Sequence, residues 1–338
     1  MRRSIIVTII VILAAIMLQP AAVMARNDRD VIATKDVRKL IQQFGPLVYF
    51  HPDEEYLLDM PDAVLSGGTE LVWGAVAIQS NPLTGDPMFV NVVEHGRVMT
   101  SADGLLNDVA MAMPVAGDVF WLDTPADLRS GHLQRAKVYV VVSEPEDGFL
   151  DLDFWFFYPY NGALKARVNA LGNALVSLDP VGRHSGDWEH VIVRLADTSG
   201  AWTLQAVYLS EHSGGTWVPA SALTLDGSRP VVYAAKDSHA FYPAAGEYTF
   251  RTLTLGALVV RFTDVVAGGG ASFDAAQPGN YRISWSDVPG LTVPSARDWL
   301  FYEGRWGPYE QQVFVSPYPT VPLTYPYVGS GPVGPLQH

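Results

Sequence analysis

No cysteine occurs in the 338 residues. The chain therefore makes no disulfide, carries no thiolate nucleophile and cannot build a Cys-type zinc site. Positive charge is scarce. Lys and Arg number 22 against 35 Asp and Glu, a formal charge of −13, and no Lys/Arg-rich run stands out. That balance excludes the electrostatic footprint of non-specific nucleic-acid binding. No Gly-x-Ser-x-Gly elbow marks a serine hydrolase. No His-x-His or His-x-x-x-His pair fixes a metal, and no internal repeat is visible. Gly268-Gly269-Gly270 lacks the strand-to-helix setting of a phosphate cradle.

A single long apolar run is present, Ile5 to Leu18. It follows Arg2 and Arg3 and precedes the small-residue stretch Val23-Met24-Ala25. The run is short for a membrane span. The pattern predicts a cleaved signal peptide over residues 1–25 and a secreted or extracytoplasmic protein with no integral span after cleavage. The hydrophobic share of 49% suits a globular chain with a substantial core. One domain is expected over residues 26–315, followed by a Pro-rich extended tail over 316–338.

Val37, Leu40, Ile41 and Phe44 follow helical spacing, with Gly45-Pro46 as the stop. Short helices are also expected over Gly104–Met111 and over Leu164, Val168, Leu171 and Leu175. Elsewhere strands dominate: 47–50, several short ones between 66 and 130, 137–142, the aromatic run 149–160, 187–195, 202–210, 230–235, 253–262 and 281–285. The fold class is all-β, an antiparallel β-sandwich with short helical insertions.

The segment Gly182-Arg183-His184-Ser185-Gly186-Asp187-Trp188-Glu189-His190 carries the chemistry. Strand alternation puts Asp187 and Glu189 on one face with Val191, Val193 and Leu195. Two carboxylates at the head of an apolar row need a proton, a basic partner or a metal ion. His184, His212 and His239 each sit where a strand meets a turn, and Asn161 ends another strand. They are expected to gather at one sandwich edge as a divalent-cation site: Asp187, Glu189, His184 and His239 as ligands, Asn161 and His212 as additional ones. Mg, Ca or Mn suits this set better than Zn. His51, His95 and His132 read as structural or surface residues, the polar cluster His51 to Tyr56 as a surface loop, and Arg305 and Trp306 as a packed pair.

Several motifs occur in an order that resembles the vacuolar protein sorting-associated protein 62 family. They include Tyr49-Phe50-His51-Pro52, Trp155-Phe156-Phe157-Tyr158 with Asn161-Gly162-Ala163, His184-Ser185-Gly186-Asp187-Trp188-Glu189-His190, His212-Ser213-Gly214-Gly215 and Gly304-Arg305-Trp306-Gly307. The resemblance covers roughly residues 40 to 310. More distantly, His184 to Glu189 is similar to the Gly-His-Arg-His-Asp-Trp-Glu heptad of the necrosis- and ethylene-inducing-like cytolysins. Those are secreted β-sandwich proteins that hold a divalent cation and act at plant membranes through glycosylated sphingolipids. That resemblance implies cation ligation by His184, Asp187 and Glu189. It departs at Asn161, where the family has an acid, and in lacking paired cysteines. Together these readings predict a protein that binds a polar ligand, a glycan or a lipid headgroup, through a cation. A metal-dependent hydrolase with His184 or His239 as base, or a purely structural ion, stand as alternatives.

Overall fold

A computed structural model of the chain describes residues 34–80, 87–101, 118–289, 298–318 and 324–335, with isolated positions between them. The expected signal peptide and nearly all of the expected helix over Gly104–Met111 lie outside the described residues.

A six-stranded sheet forms the centre. Its order is Gly214–Pro219, Ala201–Glu211, His184–Thr198, Phe149–Asn161, Val138–Ser143 and Tyr281–Ser286. All neighbours are antiparallel except the last pair, which is parallel. The two middle strands are long, 13 and 15 residues, and period-2 alternation loads both of their faces with apolar side chains. One face carries Leu150, Leu152, Phe154, Phe156, Tyr158, Val191, Val193 and Leu195 into the main core. The other carries Trp155, Phe157 and Trp188 into a second, aromatic core with Trp299, Tyr302 and Trp306.

A smaller sheet covers the first face. It contains Leu47–Tyr49, Arg229–Ala234, Ser272–Asp274, Leu225–Asp226 and Phe241–Tyr242. Val48, Val232 and Phe241 are fully buried against the central sheet. The expected helix at Thr34–Phe44 is present, and Val37, Ile41 and Phe44 pack into this core. The architecture is all-β and largely antiparallel, as the strand pattern requires.

Three local expectations are corrected. Residues 165–177 form a hairpin, Lys165–Val168 with Ala174–Ser177, in place of a helix. Gly172 and Asn173 take left-handed backbone at its turn, which a helix interior does not accommodate. Between residues 66 and 130 two long strands, Glu70–Ser80 and Pro87–Met99, pair along their length. The strand expected over 253–262 spans a hairpin turn between Gly246–Leu255 and Leu258–Val266. In the Pro-rich stretch expected to be extended, Thr324–Gly329 is a strand that pairs antiparallel with Glu310–Val315, and the Trp306 backbone N–H donates to the Pro332 carbonyl at 2.9 Å. Its one proline, Pro326, lies in a two-stranded sheet, where edge positions tolerate a missing N–H.

Candidate functional site

Asp187 and Glu189 face the main core, as alternation dictates, and both are buried. Their partners come from distant segments. The imidazole of His239, fully buried, meets Asp187 Oδ2 through Nδ1 at 2.8 Å and the Tyr56 carbonyl through Nε2 at 3.0 Å. Both ring nitrogens thus face acceptors, so both carry protons and the ring is an imidazolium. A second carboxylate, Glu54, stands 3.8 Å from Nε2. Burial alone would lower the His239 pKa, but the hydrogen bonds and charges of Asp187 and Glu54 outweigh it and raise the value to about 10. The ring also lies flat on Tyr158, centroids 3.8 Å apart and planes within 6°, a cation-on-ring contact.

Glu189 is neutralised differently. Burial, then the neighbouring Asp187 charge, push its carboxyl well above the ordinary carboxylate range, against the pull of the Ser210 hydroxyl bonded to Oε2. Burial thus favours its neutral form. Glu54 goes the other way. Burial raises its pKa, but His239 and backbone N–H groups outweigh that and hold it below the usual value. The N–H groups of Glu55, Tyr56 and Asp237 all donate to it. Of the partners expected for the acid pair, a proton, a basic group or a metal ion, the structure shows a basic one, His239.

The 237–239 corner is what delivers this imidazolium. Asp237 and His239 both sit at positive φ, 70° and 60°, a strained conformation for residues with a Cβ and one that clusters at functional sites. The corner approaches the strand end at Gly162 so closely that a Cβ there would lie 2.5 Å from that of Asp237. Glycine is required at that contact. The Gly162 N–H donates to the Asp237 carbonyl at 2.8 Å, and Lys165 pairs with the Asp237 carboxylate.

The remaining predicted residues separate. His184 is already inside the strand rather than across a turn from it. Alternation therefore puts it on the face opposite Asp187, and its Nδ1 bonds the Gly186 carbonyl at 2.9 Å. Asn161 spends its amide donors on the Gly162 and Gly182 carbonyls, both at 2.9 Å. His212, also at positive φ, bonds Asp264 at 2.8 Å, and that buried acid further accepts from Ser238 and Tyr242. His51 accepts the Asp53 N–H and His95 bonds Asp118. Arg305 lies over Tyr309, 5.3 Å from the ring centre, rather than over Trp306. Sequence reasoning missed Glu54, Tyr158, Ser210 and Asp264. Glu54 carried a signal, since it stood in a polar cluster directly after a strand.

Among the described residues no three His, Asp or Glu side chains converge as a group able to hold a metal ion.

Beside the network lies its mouth, a part-exposed aromatic and basic cluster of different character. Tyr56, whose carbonyl caps His239, packs its ring on Tyr160 at 4.9 Å. Arg129 lies over the Tyr160 ring at 4.6 Å. Arg183, one residue before the strand, bonds Asp179 at 2.8 Å and lies within the electrostatic reach of both tyrosines.

Residues 24–314 match the family model described as vacuolar protein sorting-associated protein 62. The chain belongs to that family. Within it, vacuolar protein sorting-associated protein 62 of Saccharomyces cerevisiae is 25% identical over 266 residues, 72% of this chain and 51% of the yeast protein. A second yeast member is 26% identical over 231 residues, 61% of this chain and 45% of its own length. The chain thus spans about half the length of these two relatives. Among solved structures, Necrosis and Ethylene inducing Protein 2 from the causal agent of cocoa's witches' broom disease shares 15% identity over 61% of this chain and 67% of its own, with a TM-score of 0.31. The complex of NLPPya with glucosamine shares 22% identity over 34% of this chain and 46% of its own, at a TM-score of 0.25. Overlaps this slight transfer no function to this member of the family.

Proposed function

We propose that this chain is a binding protein for a hydroxyl-rich ligand, a glycan or a lipid headgroup, taken up at the mouth above the buried acid network. The observation that carries the reading is the Tyr56–Tyr160 ring pair with Arg129 stacked on it, set directly over the Asp187–His239 ion pair. Tyr56, part-exposed on the buried Tyr160 ring, offers aromatic surface to the C–H groups of a sugar, and guanidinium N–H groups receive hydroxyl or phosphate oxygens. The buried network supports this by fixing Tyr56 through its carbonyl and Tyr160 through its strand, so the surface is rigid before a ligand arrives.

Binding is favoured over hydrolysis by the state of the histidines. A general base needs a ring nitrogen with a free lone pair beside the reacting atom. His239 offers none, and His184 is on the other face of the strand. A cation held by Asp187 and Glu189 would have to displace His239 and Ser210 and expel the Glu189 proton. Cation binding would therefore release protons. The N-terminal pattern supports the further proposal that the ligand is met outside the cytoplasm.

The test is a glycan array together with co-sedimentation on vesicles of stated headgroup composition. Arg129→Ala and Tyr56→Ala should each lower retention about tenfold, the loss of one good contact. Retention unaffected by both substitutions would remove the mouth from the reading. Turnover of any phosphoester or glycoside, lost in Asp187→Asn, would replace binding by catalysis.

A further inference from the structure

A second recessed surface lies on the outer side of the small sheet, away from the acid network and its mouth. Parallel pairing sets Leu47 beside Val231 and Tyr49 beside Tyr233. Val48 and Val232, between them, point into the core and are fully buried. Alternation therefore turns Leu47, Val231, Tyr49 and Tyr233 outward as one floor. Above it is a shallow, open cleft of about 540 Å³.

The walls have a selective chemistry. One is the 224–226 segment, which includes Thr224 and Asp226, and the other is the Gly268-Gly269 loop. Gly268 fits because it lacks a side chain: a Cβ there would come 3.3 Å from Tyr233 Cε1. No Lys, Arg or His lines the cleft. The nearest arginine in sequence, Arg229, is turned away onto Asp274 and the Gly45 carbonyl. A floor without cations beside a carboxylate disfavours phosphates, sulfates and anionic headgroups.

The two tyrosine rings stack at 5.8 Å with planes 25° apart. Near-parallel rings at that spacing form an offset, stepped stack. It leaves no gap between the rings for an ammonium group, so an aromatic cage for a quaternary amine is disfavoured. A stepped aromatic surface with Asp226 and Thr224 beside it matches a ring that has one C–H face and a hydroxyl edge. We propose that this cleft binds an uncharged pyranose ring, its C–H face on the Tyr49–Tyr233 platform and two neighbouring hydroxyls donating to Asp226, with Thr224 as a further partner. The site shares no residue with the mouth, so the chain holds two independent ligand positions of different charge preference.

Saturation-transfer NMR on the full chain tests this. The probes are methyl β-D-glucopyranoside, methyl α-D-mannopyranoside and methyl β-D-galactopyranoside at millimolar concentration, with glucose 6-phosphate and tetramethylammonium as charged comparisons. At least one methyl glycoside should receive saturation, most strongly at the C–H protons of one ring face. Tyr233→Ala should lower its affinity about tenfold, the scale of one lost aromatic anchor. Asp226→Asn, on an exposed residue that leaves folding intact, should lower it severalfold. Arg183→Ala, at the mouth, should leave it unchanged, while affinity at the mouth falls without touching the cleft. The proposal is overturned if no methyl glycoside receives saturation. It is equally overturned if the signal survives Asp226→Asn unchanged, if Arg183→Ala rather than Asp226→Asn removes it, or if tetramethylammonium or the phosphate is preferred.

Discussion

The strand His184–Thr198 presents a histidine–aspartate pair on each of its faces, and the two are near copies. Inside, His239 bonds Asp187 at 2.8 Å and lies flat on Tyr158. Outside, His190 bonds Asp153 at 2.9 Å and lies flat on Trp155, centroids 4.2 Å apart and planes within 13°. Both aromatic rings come from the same neighbouring strand. What differs is water. The inner side chains are 0% and 9% exposed, the outer ones 18% and 16%. Identical chemistry therefore has different work to do. The outer pair keeps contact with solvent, which screens its charges. The inner pair must satisfy each charge within the protein, and it does so with a third group, Glu54.

The comparison is sharpest under truncation. His239→Gln leaves Asp187 and Glu54 buried without their cation and should destabilise the fold by about 3–5 kcal/mol. His190→Gln, where water can replace the ring, should cost about 1 kcal/mol or less. Chemical denaturation of both variants checks this, and equal losses would break the distinction between the faces.

The next effect is in pH. His239 has a folded pKa near 10 against 6.5 for the free side chain. Between those values the folded protein binds more protons than the unfolded one, so stability falls as pH rises. The contribution is fully present below pH 6.5 and gone above about pH 10. Glu189, with its pKa raised, adds a loss of the same sign above the ordinary carboxylate range. Glu54, with its pKa lowered, acts oppositely, and its stabilisation disappears only under acid. Melting temperatures from pH 6.5 to 10 should decline in the natural protein, and His239→Gln should remove most of that slope.

A smaller contrast lies within the acid pair. Glu189→Gln replaces a protonated carboxyl by a neutral amide and should cost about 1 kcal/mol or less at pH 7. Asp187→Asn removes the partner of a buried imidazolium and should cost several times more. Comparable losses would mean that Glu189 is ionised and that a further positive charge attends it. The smallest expected change follows chelation. With His239 as counter-charge, treatment with EDTA should leave the melting temperature unchanged. A rise on adding Mg or Ca, with proton release on binding, would restore the cation reading.

Much of this was legible beforehand, and the residues show why. Alternation from Asp187 to Leu195 is a property of consecutive residues, so the inward direction of both acids followed from the strand period. The long strands, the first helix and the family motifs were readable for the same reason. His184 was expected across a turn, but the strand starts three residues earlier than its apolar pattern announces, and three steps of alternation, an odd number, put it on the face opposite Asp187. The helix expected over residues 164–175 failed because apolar spacing there also fits a hairpin, and the left-handed turn at Gly172 and Asn173 decides between them.

The sequence by itself determined that two acids would be driven into the core and that something must neutralise them. Only the tertiary structure decided what. His239, 52 residues along the chain from Asp187, and Glu54, from before the first sheet closes, meet because the small sheet docks on the central one. Periodicity along a strand is a local rule. The identity of a buried charge's partner depends on which distant segments the packing brings within hydrogen-bond distance, and so does the protonation state that follows.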